Sequence, residues 1–155
     1  MKQIILVLFL FLTVSAGAKL KNEITGKWSV QKVETTDQSL NSMIQESDFS
    51  KLIVEFAKSG SVLISGTDTK TKYSVDGDKI TFSEGLAKEI SKAEVEANIK
   101  SGILTINLNA ELVKQIMLIV KDQYVKSGGE AFIAKMIENA AKTYRIEAVI
   151  TLKRK

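Results

Sequence analysis

The sequence has no cysteine, no histidine and no proline, and only one tryptophan. Each absence removes chemistry. Without cysteine there is no disulfide, no thiol nucleophile and no sulfur to carry a lipid anchor. Without histidine the usual zinc sites, the Ser-His-Asp arrangement and the commonest general base near neutral pH are gone. Catalysis would have to rest on carboxylates, lysine or a metal held by oxygen. The acids give that little support. Glu94 and Glu96 alternate with apolar residues as on a wet strand face, and Asp76 and Asp78 flank a turn glycine. The tract "SGTDTKTK" lacks the spacing of a phosphate loop. The expectation is a protein that is not an enzyme, with no cofactor and no metal site. Without proline, no strand or helix is broken by one.

Charge is modest. The formal net charge is +4 over 155 residues, with the lysines spread along the chain. A nucleic-acid-binding face wants clustered basic residues among aromatics. Only the tail "LKRK" is locally basic, so no nucleic-acid partner is expected. One long apolar run stands out. Lys2 precedes "IILVLFLFLTV", and small residues follow at Ala16-Gly17-Ala18. That order reads as a secretory signal cut after Ala18. The run is short of the roughly 20 residues that a spanning helix needs. Residues 1–18 are therefore expected to be a cleaved leader and 19–155 a single soluble domain, periplasmic or extracellular, without a transmembrane anchor.

What is present is alternation. In "SKAEVEANIK", Ala93, Val95, Ala97 and Ile99 fall on one face and Lys92, Glu94, Glu96, Asn98 and Lys100 on the other. Period two over this length predicts a strand wet on one side. "GILTINLN" and "YRIEAVITLK" repeat it, the latter through Tyr144, Ile146, Ala148, Ile150 and Leu152. With "GKWSVQKVETT", "KLIVEFAK", "SVLISGT", "KTKYSVD" and "KITFS" the count reaches eight. Tight-turn residues join strands 2–3, 4–5 and 6–7 at Lys58-Ser59-Gly60, Asp76-Gly77-Asp78 and Lys100-Ser101-Gly102. The links 1–2, 5–6 and 7–8 are longer. The last of these holds two amphipathic helices, "AELVKQIMLIVKDQYVK" and "EAFIAKMIENAAK", on either side of Gly128-Gly129. In an up-and-down meander the tight turns gather at one end and the long links at the other.

Eight antiparallel strands with wet outer faces can close into a barrel and lose their edges. Gly26-Lys27-Trp28, just before the first alternating strand, resembles the Gly-x-Trp opening of lipocalins and lipocalin-like domains. The closer resemblance is to the lipocalin-like domain of small secreted bacterial envelope proteins, a family of largely unknown function. It implies a mainly β, eight-stranded antiparallel up-and-down barrel with a two-helix insertion, about 110–142, before the last strand. It also implies that Trp28 closes the bottom with a basic residue packed against it. Pairing of strands 1 and 8 makes Arg154 the geometric candidate and puts Arg145 near the other end. Strand counting then places the helix pair, with the segment around Leu40, Met43 and Ile44, over the opposite, open mouth.

The functional expectation is non-covalent binding of a small hydrophobic or amphipathic ligand, the positive charge favouring an anionic head group. Inward candidates for contact are Val30, Phe56, Ile64, Tyr73, Phe82, Val95, Ile99, Ile106 and Ile146, residue types that in such positions are more often plain core than ligand contacts. Period two also carries the face of Trp28 and Val30 on to Lys32 and Glu34. Either these charges point inward near the mouth, or the strand twists and both are solvated, the reading we prefer. The alternative function is an envelope protein-binding or inhibitor module with a packed, ligand-free barrel. There the helix pair offers an apolar face to a partner or a membrane surface. An exposed patch at Ile116, Ile119, Phe132 and Ile137 would favour it. An internal cavity of several hundred Å³ would favour the container.

Overall fold

The computed structural model describes residues 19–45, 51–66, 70–83, 90 and 92–155. The expected leader, 1–18, lies outside the described residues, as does the side chain of Met43. Eight strands run in chain order: β1 (Gly26–Thr35), β2 (Ile53–Ala57), β3 (Ser61–Ile64), β4 (Lys70–Asp76), β5 (Lys79–Ser83), β6 (Lys92–Lys100), β7 (Ile103–Leu108) and β8 (Ala148–Arg154). Consecutive strands pair antiparallel, and β1 pairs with β8, which closes the sheet into a barrel. The alternation explains the choice of element. β6 buries each of Ala93, Val95, Ala97 and Ile99 and exposes every residue between them. A closed barrel satisfies both faces and leaves no unpaired edge.

The long alternating stretch expected from Tyr144 enters the sheet only at Ala148. β1 ends at Thr35 and β7 at Leu108, so no strand backbone is available beyond them. The chain before β8 is tied differently. Thr36 N–H donates to the Glu147 carbonyl at 3.0 Å, and Glu147 N–H to the Thr36 hydroxyl at 3.0 Å. Tyr144 is left exposed.

β1 carries a bulge. Val30 pairs with Leu152 and Lys32 with Thr151, so Gln31 is the extra residue. One extra residue turns the alternation by one step. Lys32 and Glu34 therefore stand outside and pair with each other at 2.7 Å, while Val33 packs on the core. Simple period two would have sent both charges inward. The bulge is what places them in water.

The bottom is closed by three pieces of chain. Trp28 is fully buried, and its indole N–H donates to the Ile24 carbonyl at 2.6 Å. Residues 19–23 form a helical turn beneath it, and Leu20 and Ile24 enter the same core. Arg154, opposite Trp28 in the β1–β8 ladder, lies over the indole with its guanidinium carbon 4.7 Å from the ring centroid. The same guanidinium donates to the carbonyls of Glu23 and Thr25. It meets the negative ring face and the carbonyls left open where the helical turn ends. Arg145 lies away from Trp28, beside Glu147.

Three further helices follow: α1 (Gln38–Gln45), α2 (Ala110–Lys126) and α3 (Ala131–Thr143). Asp37 caps α1 by accepting from Leu40 N–H at 2.9 Å, and Asn109 caps α2 by accepting from Leu112 N–H at 2.9 Å. Gly128, at φ +85°, supplies the left-handed residue that lets α2 turn back into α3. The register fixes where the helices sit. Leu108, next to α2, pairs with Ala148, which pairs with Thr35 at the far end of β1 from Trp28. The hairpin of α2 and α3 is thus rooted at the mouth.

Candidate functional site

The interior is one contiguous apolar cluster. It draws buried residues from the bottom (Leu20, Ile24, Trp28), from the barrel wall and from Leu112 of α2. Of the residues expected inside, Val30, Phe56, Val95, Ile99 and Ile106 belong to this cluster. Tyr73 and Phe82 are half-buried against it. The Tyr73 ring meets Phe56 edge-on, with centroids 5.1 Å apart, and its hydroxyl donates to the Ala57 carbonyl at 3.1 Å. These seven contact one another as core.

The other two stand elsewhere. Ile64 shares the face of Val54 and Val62 but sits at the rim, 37% exposed. Ile146 lies outside the strands, in a second small cluster with Val113 and Ala148 against which Leu40, Leu108 and Met117 pack. That cluster seals the seam between α1, α2 and the start of β8. It is held by a device the sequence did not announce. The Asn41 side chain accepts from Thr35 N–H at 2.6 Å and donates to the Thr35 carbonyl at 2.8 Å, standing in for a neighbouring strand and pinning α1 to the end of β1. Nothing in the local pattern around Asn41 signals this, because its partner lies outside the helix. Leu20 and Ile24 carried a faint signal: two apolar residues between the presumed cut and Gly26.

Among the described residues, α1 and α2 lie over the mouth; parts of the 1–2, 3–4 and 5–6 links at the same end lie outside the described residues. On α2, residues 112, 116, 119 and 120 share one helical face. Leu112 belongs to the barrel core and Ile119 packs on it, so this face looks toward the barrel. Yet Ile116 between them is 37% exposed and Val120 beside them 49% exposed. Ile64, the last residue of β3, stands at the same end of the barrel. α1 closes part of that end through Leu40 and the half-buried Ile44.

Two grooves lie on the outside of the barrel. One, of about 490 Å³, runs between the start of α2 and the end of α3, lined by Asn109, Glu111, Lys114, Lys142, Tyr144 and Arg145 among others. The other, of about 390 Å³, crosses the outer wall at Lys79, Glu94, Glu96, Asn107 and Glu147. In it Lys79 donates to Glu94 at 2.9 Å. That hydrogen bond, and then the opposite charge, lowers the Glu94 carboxyl below its usual range and raises the Lys79 ammonium. Both groups are fully exposed, so the pair is a surface contact. Among the described residues no group of acids is placed to hold a metal.

Comparison of the chain with protein-family models, curated proteins and solved structures returned no match. The geometry of the mouth is therefore the basis for a functional reading.

Proposed function

We propose that this protein is an exported, lipocalin-like barrel that binds an apolar or amphipathic small molecule non-covalently, without chemistry, at its mouth beneath α2. One observation carries the reading. Ile116 lies on a helical face whose neighbours Leu112 and Ile119 pack on the core, yet it stays 37% exposed. Apolar surface left partly in water beside the core is where an acyl chain or ring gains by burial, at roughly 25 cal/mol per Å². The continuous core below favours the mouth over the depths of the barrel as the place of contact. Export is supported by Lys2, the apolar run and the small residues before Lys19, and by the way Leu20, just beyond them, enters the core.

The test is a titration of residues 19–155 with a dansylated undecanoic acid, read by dansyl emission. Saturable enhancement is expected. The double substitution Ile116→Asp, Val120→Asp should weaken it by about tenfold, the cost of losing two apolar contacts. An absence of saturable binding, or equal binding by the double variant, would sink the proposal. A second reading keeps the barrel ligand-free and makes the helix hairpin the working surface. The single continuous cluster inside the barrel favours it.

A further inference from the structure

The hairpin carries a second apolar surface, separate from the mouth. On α3, Ala134 and Ala141 are buried, which sets the face that meets α2. Phe132 and Met136 project from the opposite side of that helix and are 72% and 56% exposed. Val125, in the last turn of α2, is 51% exposed. Val125 and Phe132 both lie within a turn of the hairpin tip. There Gly129 N–H donates to the Tyr124 carbonyl at 2.9 Å and Glu130 N–H to the Tyr124 hydroxyl at 3.2 Å. Among the described residues, nothing in α2 beyond Ile119 and nothing in α3 joins either core cluster. An α-helix rises about 1.5 Å per residue, so the seven residues after Ile119 carry the tip roughly 10 Å further along the helix.

The charges around this tip select its occupant. Lys126 adjoins Val125, and Lys135 lies on the turn between Phe132 and Met136. Neither makes an ion pair among the described residues, whereas Lys121 pairs with Asp122 and Lys142 with Glu138. Glu130 is the remaining acid at the turn. A second copy docked on this face would set like-charged lysines around a shared apolar patch, which is unfavourable across a two-fold contact. A bilayer bearing anionic lipid takes both features: apolar side chains enter the acyl boundary and ammonium groups meet head groups. The net charge, +3 once Lys2 leaves with the expected leader, adds long-range attraction. Among the described residues no helix is long and apolar enough to cross a membrane, so such contact would be a seat on the surface.

We infer that the hairpin tip, through Val125, Phe132 and Met136 with Lys126 and Lys135, seats the barrel on an anionic phospholipid surface. These residues are not those of the mouth, so this inference and the proposed ligand site stand or fall separately.

The test is vesicle flotation of residues 19–155, which hold every strand of the barrel. Vesicles of phosphatidylcholine with phosphatidylglycerol should carry the protein up, and phosphatidylcholine alone should carry much less. Substituting Val125→Ser with Phe132→Ser should cut the bound fraction by about tenfold or more, as expected for losing two inserted apolar side chains. Lys126→Glu with Lys135→Glu should cut it by about thirtyfold or more, at roughly 1 kcal/mol per basic residue near the surface. Ile103→Ser, a neutral change at an exposed apolar residue beside the β6–β7 turn, should leave it unchanged. All these positions are exposed, and unaltered Trp28 emission would show the variants folded. Three outcomes would overturn the inference: no flotation with anionic vesicles, equal flotation of the tip variants, or a doubled mass in sedimentation that Phe132→Ser abolishes. The last would mean that a second copy occupies the face.

Discussion

The guanidinium of Arg154 and the indole of Trp28 stack 4.7 Å apart across the β1–β8 seam, where the barrel closes. The contact joins the end of the last strand to the start of the first, and through the Glu23 and Thr25 carbonyls it also ties in the N-terminal turn. Removing the side chain with Arg154→Ala should cost about 1–2 kcal/mol, one exposed cation–π contact and the hydrogen bonds to two carbonyls. Urea unfolding should show a lower midpoint with an unchanged slope. A midpoint equal to that of the parent would mean the stack contributes nothing.

Leu20 and Ile24 are 2% and 1% exposed beneath the indole. Leu20→Ala should destabilise the barrel by about 2–4 kcal/mol, the range for emptying a buried leucine site. Deleting residues 19–24 should also shift Trp28 emission to the red, because water reaches the ring. Emission that stays blue after the deletion would show that the turn is no plug.

The bulge at Gln31 decides which side of the wall carries charge. Deleting Gln31 removes the extra residue: Lys32 then follows Val30 on the outer face, Val33 stays inward and Glu34 outward, now on strict alternation. Both charges stay in water, so the deletion should leave the thermal midpoint and the far-UV β-sheet signal little changed. A collapse in thermal midpoint would show that the bulge is also needed to bend β1.

Asn41 gives both its amide atoms to the Thr35 backbone. Asn41→Ala leaves that backbone pair without its partner and should cost about 1–2 kcal/mol. Hydrogen exchange locates the effect. The Thr35 amide should exchange much faster while the amides of β6 keep their protection. Uniform loss of protection would point instead to a general defect.

Acid sensitivity should be weak and local at Lys79–Glu94. The Glu94 carboxyl is lowered by its hydrogen bond to Lys79, so its contribution to stability is present above the usual carboxylate range and fades as pH falls through its lowered value. The raised Lys79 ammonium contributes below its ordinary value and loses that contribution as pH rises through the raised one. The pair is intact between these limits. NMR titration should find the Glu94 carboxyl below the usual carboxylate range, with Lys79→Gln abolishing that lowering. High salt should shrink it, since both groups are exposed.

Much of the barrel was legible because its signals are local. Alternation marked β6 and β7, turn glycines marked the tight links, and amphipathic spacing gave α2 and α3 almost to the residue. Strand counting then put the hairpin at the end away from Trp28, where Leu108 and Thr35 flank Ala148. The site was less legible. Ile64 read as interior, yet stands at the rim, and Ile146 read as a strand residue, yet lies in the seam below α2. Exposure at Ile116 and Phe132 depends on how far each helix outruns the barrel, which spacing along the chain does not encode.

What the sequence by itself determined is the order and direction of the ribbons, since period two and turn chemistry act between residues close along the chain. What only the tertiary structure decided is the rest: the extra residue at Gln31, the Leu20 and Ile24 plug, the Asn41 clasp and the exposure of Ile116 on the core-facing side of α2. Each of these depends on which distant segment arrives next to it, and burial is settled by that arrival.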